Sequence, residues 1–259
     1  MTKKVGIVVP TLGTRPDYLE QNLKSIRAAG DAYISIVAPK SFNAKALMST
    51  GLADQFVEDP KGGLAAAINE GFDKLPSEIE FINWLGDDDL LTEGSILKTS
   101  AVLEHNRDAT LVYGACEYID SDGLKIWENK SGAWAVPLLR FGPDMIPQPG
   151  ALFRRSTFNK VGKLSSNFGW AFDFDLFIKL TKSGKAIYLP ETLSKFRWHP
   201  DSLSVGLRKK SVAEASAVRL SHLPGWLRPL AKVWEFPVMK ATLLAGARVS
   251  KLGINKAVN

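Results

Sequence analysis

One cysteine, Cys116, is all that 259 residues contain, so no disulfide can form within the chain. It closes the apolar run Leu111-Val112-Tyr113-Gly114-Ala115-Cys116, where a small buried hydrophobe in a reducing compartment is expected rather than a reactive thiol. Long hydrophobic runs are missing as well: nothing reaches the roughly 18 uncharged apolar residues of a spanning helix. Met1-Thr2-Lys3-Lys4 passes straight into a strand-like segment, which leaves no room for a signal peptide, and a cytoplasmic protein is expected. Internal repeats and low-complexity tracts are absent, as is the Gly-x-Gly-x-x-Gly spacing of a dinucleotide fingerprint.

What is present is ordinary globular material, 45% hydrophobic and 23% charged, long enough to bury a full core with an appendage. The net charge of +6 is unevenly placed. Residues 205–259 hold ten Lys/Arg against Glu214 and Glu235, whereas the first 204 residues carry 23 basic and 25 acidic groups. An enzyme of nucleic acid would be basic around its cleft, so no nucleic acid partner is expected. A basic excess confined to the tail points to an anionic surface such as the inner face of the cell membrane. There Trp226, Leu227, Leu230, Val233 and Trp234 fall on one helical side and Arg228, Lys232 and Glu235 on the other. Pro229 and Pro237 are expected to keep this amphipathic piece short. Packing onto the body is the competing expectation.

Along the body, Val5-Gly6-Ile7-Val8-Val9 is the continuous β-branched run of a strand buried on both faces. Pro16 opens a helix with Leu19, Leu23 and Ile26 on one stripe. Strands at 33–38, 55–57 and 81–85 then alternate with helices at 43–48, 64–72 and 92–104, the rhythm of βαβ units in a doubly wound sheet. Ligands of such sheets bind at the C-terminal strand ends. Further on, a hairpin is expected around Asp120-Ser121-Asp122-Gly123, a loop over 131–150, a helix over 173–182 and a last short strand at 186–189.

Three constellations could carry chemistry. Gly86-Asp87-Asp88-Asp89 packs three carboxylates where a strand ends and before a helix begins. Such crowding needs a compensating cation, and hard Mg²⁺ or Mn²⁺ suits it; an acidic helix cap is the plain alternative. Asp173 lies among aromatics at the mouth of a helix, where partial burial would lift its pKa toward that of a general base, while Asp175 suits a capping or first-turn role. Phe196-Arg197-Trp198-His199 joins a guanidinium and an imidazole. In the small-residue helix from Gly63 to Gly71, close helix–sheet packing is expected, with Asn69 the one polar contact.

Taken in order, these segments resemble glycosyltransferase family 2, which has the GT-A fold. Val8-Val9-Pro10-Thr11, Gly63 to Gly71, Trp84 to Ile96, Gln148 to Arg155, Asp173-Phe174-Asp175-Leu176, and Arg197 with His199, Ser202 and Ser204 carry the likeness over residues 4 to about 204. The chain departs from the family at Val37-Ala38-Pro39-Lys40, where paired Asp residues are usual, at Ile68 in place of Arg, and at Gly86 in place of the first Asp of Asp-x-Asp.

The resemblance implies an α/β GT-A domain over 1–204, with a mostly parallel, doubly wound sheet and helices on both faces, followed by a basic helical extension over 205–259. It implies a metal-dependent, inverting transferase of hexosyl groups from a nucleotide-diphosphate sugar to a glycan or glycolipid acceptor, in bacterial surface polysaccharide or lipid-linked oligosaccharide synthesis. Pro10, Thr11, Asn69, Asp87, Arg197 and His199 would bind the donor, Asp88 and Asp89 a Mn²⁺ or Mg²⁺ ion, and Asp173 would be the base. A nucleotidyltransferase of sugar activation and a non-catalytic carbohydrate-binding relative are the alternatives.

Overall fold

The computed structural model describes residues 3–198 and 208–257. Its first half follows the expected alternation: β1 (Val5–Pro10), α1 (Pro16–Ala29), β2 (Ala32–Ala38), α2 (Lys45–Ser49), β3 (Gln55–Glu58), α3 (Leu64–Asp73) and β4 (Phe81–Trp84). These strands are parallel, in the order β3-β2-β1-β4. β1 shows why its apolar run is unbroken. Val8 joins the core on one face, and Val5, Ile7 and Val9 join the core on the other, the period of two that a pleated strand imposes. Gly71 of α3 explains the small-residue helix: a Cβ there would lie 2.6 Å from Val8 Cγ1 and 2.8 Å from Val37 Cγ2. The helix is seated on the sheet at a distance only glycine permits.

The second half is less regular. After β5 (Leu90–Leu91) and α4 (Ser95–His105), β6 (Ala109–Ile119) and β7 (Lys125–Asn129) form the expected antiparallel hairpin. The 131–150 stretch holds only a 3-10 turn at Gly132–Trp134 and the single turn α5 (Ala135–Leu138). Next come β8 (Leu152–Arg154), α6 (Arg155–Lys160), α7 (Phe172–Ser183) and β9 (Lys185–Arg197). β8 enters antiparallel between β4 and β6, so the sheet is mixed beyond the parallel half. β9 is not the short strand expected at 186–189. It runs 13 residues and pairs with β6 as far as Arg197, because Leu193 and Ser194 remain buried and extend the sheet past the exposed stretch at Pro190 and Glu191.

Two helices complete the fold, α8 (Arg208–His222) and α9 (Arg228–Ala257). The short amphipathic piece expected near 226–235 is therefore corrected to a 30-residue helix. Pro229 sits in its first turn, where a missing N–H costs nothing, and Pro237 is accommodated inside it. Arg219 and Glu235, both buried, join the two helices by paired bonds of 2.7 Å. Glu235 is thus turned inward, against its expected place on a solvated polar side.

Candidate active site

The loops leaving the C-terminal ends of β1 and β4 flank the point where strand order reverses, since β2 and β3 lie on one side of β1 and β4 on the other. A cavity of about 930 Å³ opens there, the position where ligands enter open α/β sheets. Pro10, Thr11 and Arg15 border it from the β1 loop, Gly86 to Asp89 from the β4 loop, Asp59 from the end of β3, and Gly63 and Leu64 from the start of α3. A further wall is made by Asp144 to Pro149, by Gly169 to Phe174, and by Ser211 and Ala215 of α8.

The acidic loop is tightly held. Thr11 Oγ1 donates to Asp87 Oδ2 at 2.6 Å. Arg15 spans two carboxylates, with Nη2 2.6 Å from Asp87 Oδ1 and Nη1 2.7 Å from Asp88 Oδ2. Burial raises the Asp87 pKa, while Thr11 and Arg15 oppose the shift. Asn22, fully buried in α1, donates to the carbonyls of Gly86 and Asp89 at 2.7 and 2.8 Å. Asp89 borders the cavity, but its Oδ1 accepts the Arg197 N–H at 3.0 Å. Burial, and then the neighbouring charge of Asp88, hold its carboxyl well above the usual range.

Two residues expected to bind donor are used elsewhere. The Arg197 guanidinium is buried against the acidic loop and does not line the cavity. It donates to the carbonyls of Asp88, Asp120 and Ser121 and to Gln21 Oε1, and lies 4.3 Å from the Tyr18 ring centre. Asn69 exchanges two bonds with the Leu164 backbone, at 2.9 and 3.2 Å, and clasps α3 to the loop after α6. In both cases backbone groups take up a polar side chain that burial has partly or wholly removed from water. His199, like Ser202 and Ser204, lies outside the described residues.

Asp173 borders the cavity from the first turn of α7, its Oδ1 accepting the Phe174 N–H at 2.8 Å. Burial lifts its pKa to about 6. Asp144, unremarked in the sequence, borders the same space, and burial together with the charge of Asp173 holds its carboxyl well above the usual range. Among the described residues neither carboxylate has an ion-pair partner. A carboxylate near pH 6 with no cation beside it can take a proton at neutral pH.

What sets α7 in place comes from the C-terminal segment. Ala171, at the helix N-cap, has no side chain to cap with. Glu214 of α8 supplies the acceptor instead, taking the N–H groups of Gly169, Trp170 and Ala171 at 3.1, 2.8 and 3.1 Å. A carboxylate at this end also opposes the helix dipole. Asp175 does not cap the helix. Its oxygens meet Lys179 Nζ at 2.6 Å and His222 Nε2 at 2.7 Å. Burial pushes this carboxyl up, but the two partners outweigh it and hold its pKa low. Arg219 Nη1 donates to the Gly142 carbonyl, two residues before Asp144. Residues 208–222 thus brace both carboxylates of this wall.

Among the described residues no group of three or more His, Cys, Asp or Glu side chains stands ready to enclose a metal ion. The donor set at Asp87 and Asp88 is still hard oxygen. One or two carboxylates completed by substrate phosphates is the usual Mg²⁺ arrangement, so these residues fit such an ion once Arg15 gives way.

No family model matches the chain, and no curated protein matches its sequence. Its fold is that of solved nucleotide-sugar complexes. The mannosyltransferase PcManGT from Pyrobaculum calidifontis, in complex with GDP-Man and Mn²⁺, matches with a TM-score of 0.63 at 16% identity, over 100% of this chain and 80% of that one. S. aureus TarS 1-349 in complex with UDP-GlcNAc matches with a TM-score of 0.62 at 12% identity, over 88% of this chain and 70% of that one.

Proposed function

We propose that the protein is an inverting glycosyltransferase, hexosyl-transferring and metal-assisted, that uses a nucleotide-diphosphate sugar. One observation carries the reading: a cation-compensated acidic loop and an uncompensated carboxylate with a pKa near 6 line one cavity at the sheet's switch point. The solved complexes of the same fold, with GDP-Man and Mn²⁺ or with UDP-GlcNAc, support this choice of donor and ion. Pro10 and Thr11 border the nucleotide, and Asp59 joins them on the side where the family's usual Asp pair is missing.

Asp88, with Asp87 beside it, would hold Mn²⁺ or Mg²⁺, which when bound offsets charge on the departing diphosphate. Arg15, displaced from these carboxylates, is within reach to pair with the same phosphates, which its planar donors suit. Asp89 takes the Arg197 N–H and keeps the loop in shape. Asp173 accepts the proton of an acceptor hydroxyl as that oxygen bonds to the anomeric carbon. The bond from that carbon to the diphosphate oxygen breaks on the opposite face, its electron pair leaves with the nucleoside diphosphate, and the centre inverts. The acceptor is a glycan or glycolipid of bacterial surface polysaccharide or lipid-linked oligosaccharide synthesis.

Incubation with UDP-GlcNAc and with GDP-Man, each with Mn²⁺, separates the readings. Release of nucleoside diphosphate is expected. Formation of UTP or GTP together with a sugar 1-phosphate, once pyrophosphate is added, would instead indicate a nucleotidyltransferase, and absence of any donor-induced stabilisation would favour a carbohydrate-binding protein.

A further inference from the structure

α9 carries a second apolar face besides the one it turns to the body. The side facing the body joins Ala231, Glu235, Thr242, Gly246 and Ser250, the last bonded to Trp198 Nε1 at 3.2 Å, to the partly buried Trp234, Val238, Met239, Leu243 and Val249. Other large apolar residues point outward. Trp226, just before the helix, is 73% exposed, Leu230 54%, Val233 77%, Phe236 72% and Leu244 62%. Trp226, Leu230, Val233, Pro237, Leu244, Arg248 and Lys251 follow steps of three and four, or seven, and so form one stripe along the helix. Beside its first turns Phe141, 47% exposed, packs on Trp234 with ring centres 6.0 Å apart, which widens the apolar face.

Charge identifies what such a face fits. Arg228, Lys240, Arg248 and Lys251 are exposed, and the one acid of α9, Glu235, is buried against Arg219. A stripe that mixes exposed aromatic and aliphatic side chains with bases and no acid complements anionic headgroups above acyl chains. At 30 residues the helix is about 45 Å long, yet no helix among the described residues is long and apolar enough to cross a membrane. We infer that α9 lies flat on an anionic phospholipid surface and holds the protein there. Given the glycosyltransferase reading, on which this consequence rests, α8 beneath α9 forms part of the cavity wall, so docking presents the cavity to an acceptor carried on lipid.

The test is vesicle flotation of the full chain without donor, on phosphatidylcholine vesicles with and without phosphatidylglycerol. Binding is expected only with the anionic lipid. Replacing Leu230, Val233 and Phe236 together by Ser should weaken it about tenfold or more, and Arg248→Glu with Lys251→Glu should weaken it at low salt. Melting temperature should be unchanged, since these side chains are exposed. Failure of the wild-type chain to float overturns the inference, as does unaltered flotation of the serine variant. Wild-type dimers in light scattering that the serine variant turns to monomers, without flotation, would make the face a protein contact. Donor-induced stabilisation, measured on the same samples, tests the transferase reading separately.

Discussion

The cavity has two acidic walls, and they solve the problem of buried carboxylates differently. On the β4 side three adjacent carboxylates are offset by Arg15, by the Thr11 hydroxyl and by the Arg197 backbone. On the α7 side, among the described residues, Asp144 and Asp173 receive backbone N–H groups alone, from Ile146 and Phe174. A wall that already attracts a cation is prepared to exchange it for another. A wall without one stabilises the protonated form and so can accept a proton. In the proposed mechanism this difference matches charge stabilisation on one wall and proton transfer on the other.

The largest effect should follow from removing the proposed base. Asp173→Asn keeps the shape of the side chain but cannot take the proton, and turnover measured by nucleoside diphosphate release should fall roughly 10²–10⁴-fold. Asp175→Asn, two residues on, should act on stability instead. It removes the charge that Lys179 and His222 face; because those partners are 26% and 15% exposed, the loss in urea denaturation should be about 1–3 kcal/mol, less than for a fully buried pair. Most activity should remain. An inactive, stable Asp175→Asn beside an active Asp173→Asn would exchange the two roles.

Smaller effects sharpen the contrast. Glu214→Gln weakens the acceptor that fixes the start of α7, and kcat should fall roughly tenfold, about 1.4 kcal/mol, with donor KM unchanged. Loss of donor binding would show that Glu214 serves the whole domain rather than the Asp173 wall. Turnover should rise with pH through about 6, because only ionised Asp173 accepts a proton. The linked stability runs the other way. With a pKa raised by folding, the Asp173 carboxyl supports the fold below its unfolded pKa and loses that contribution as pH rises through about 6. Asp144→Asn should leave the activity limb in place, since burial, not the charge of Asp144, raises the Asp173 pKa. A limb displaced to lower pH would show Asp144 charged in the working range.

The parallel half of the fold was legible because apolar runs such as Val5–Val9 and helix stripes such as Leu19, Leu23 and Ile26 report burial directly. The acidic loop could be found for the same reason: it follows a strand of evident type. Asp144 gave no signal, since it lies in a Pro-rich loop with no period, and its place is set by Arg219 holding Gly142 from a helix 77 residues away. Glu214 was visible only as a charge in a basic tail; its partners are backbone N–H groups, which carry no sequence identity. Arg197 and Asn69 were recognised as segments, but their side chains face carbonyls and backbone. A motif locates a residue without fixing the direction of its side chain.

The division between the walls is tested most directly by one melting experiment, with UDP and with GDP, each with Mn²⁺, on the wild type, Asp88→Ala and Asp173→Asn. A nucleotide at 100 times its dissociation constant stabilises by about 2.7 kcal/mol. Wild type and Asp173→Asn should show the same Mn²⁺-dependent increase, and Asp88→Ala should show none. An increase retained by Asp88→Ala, or lost in Asp173→Asn, would contradict the account.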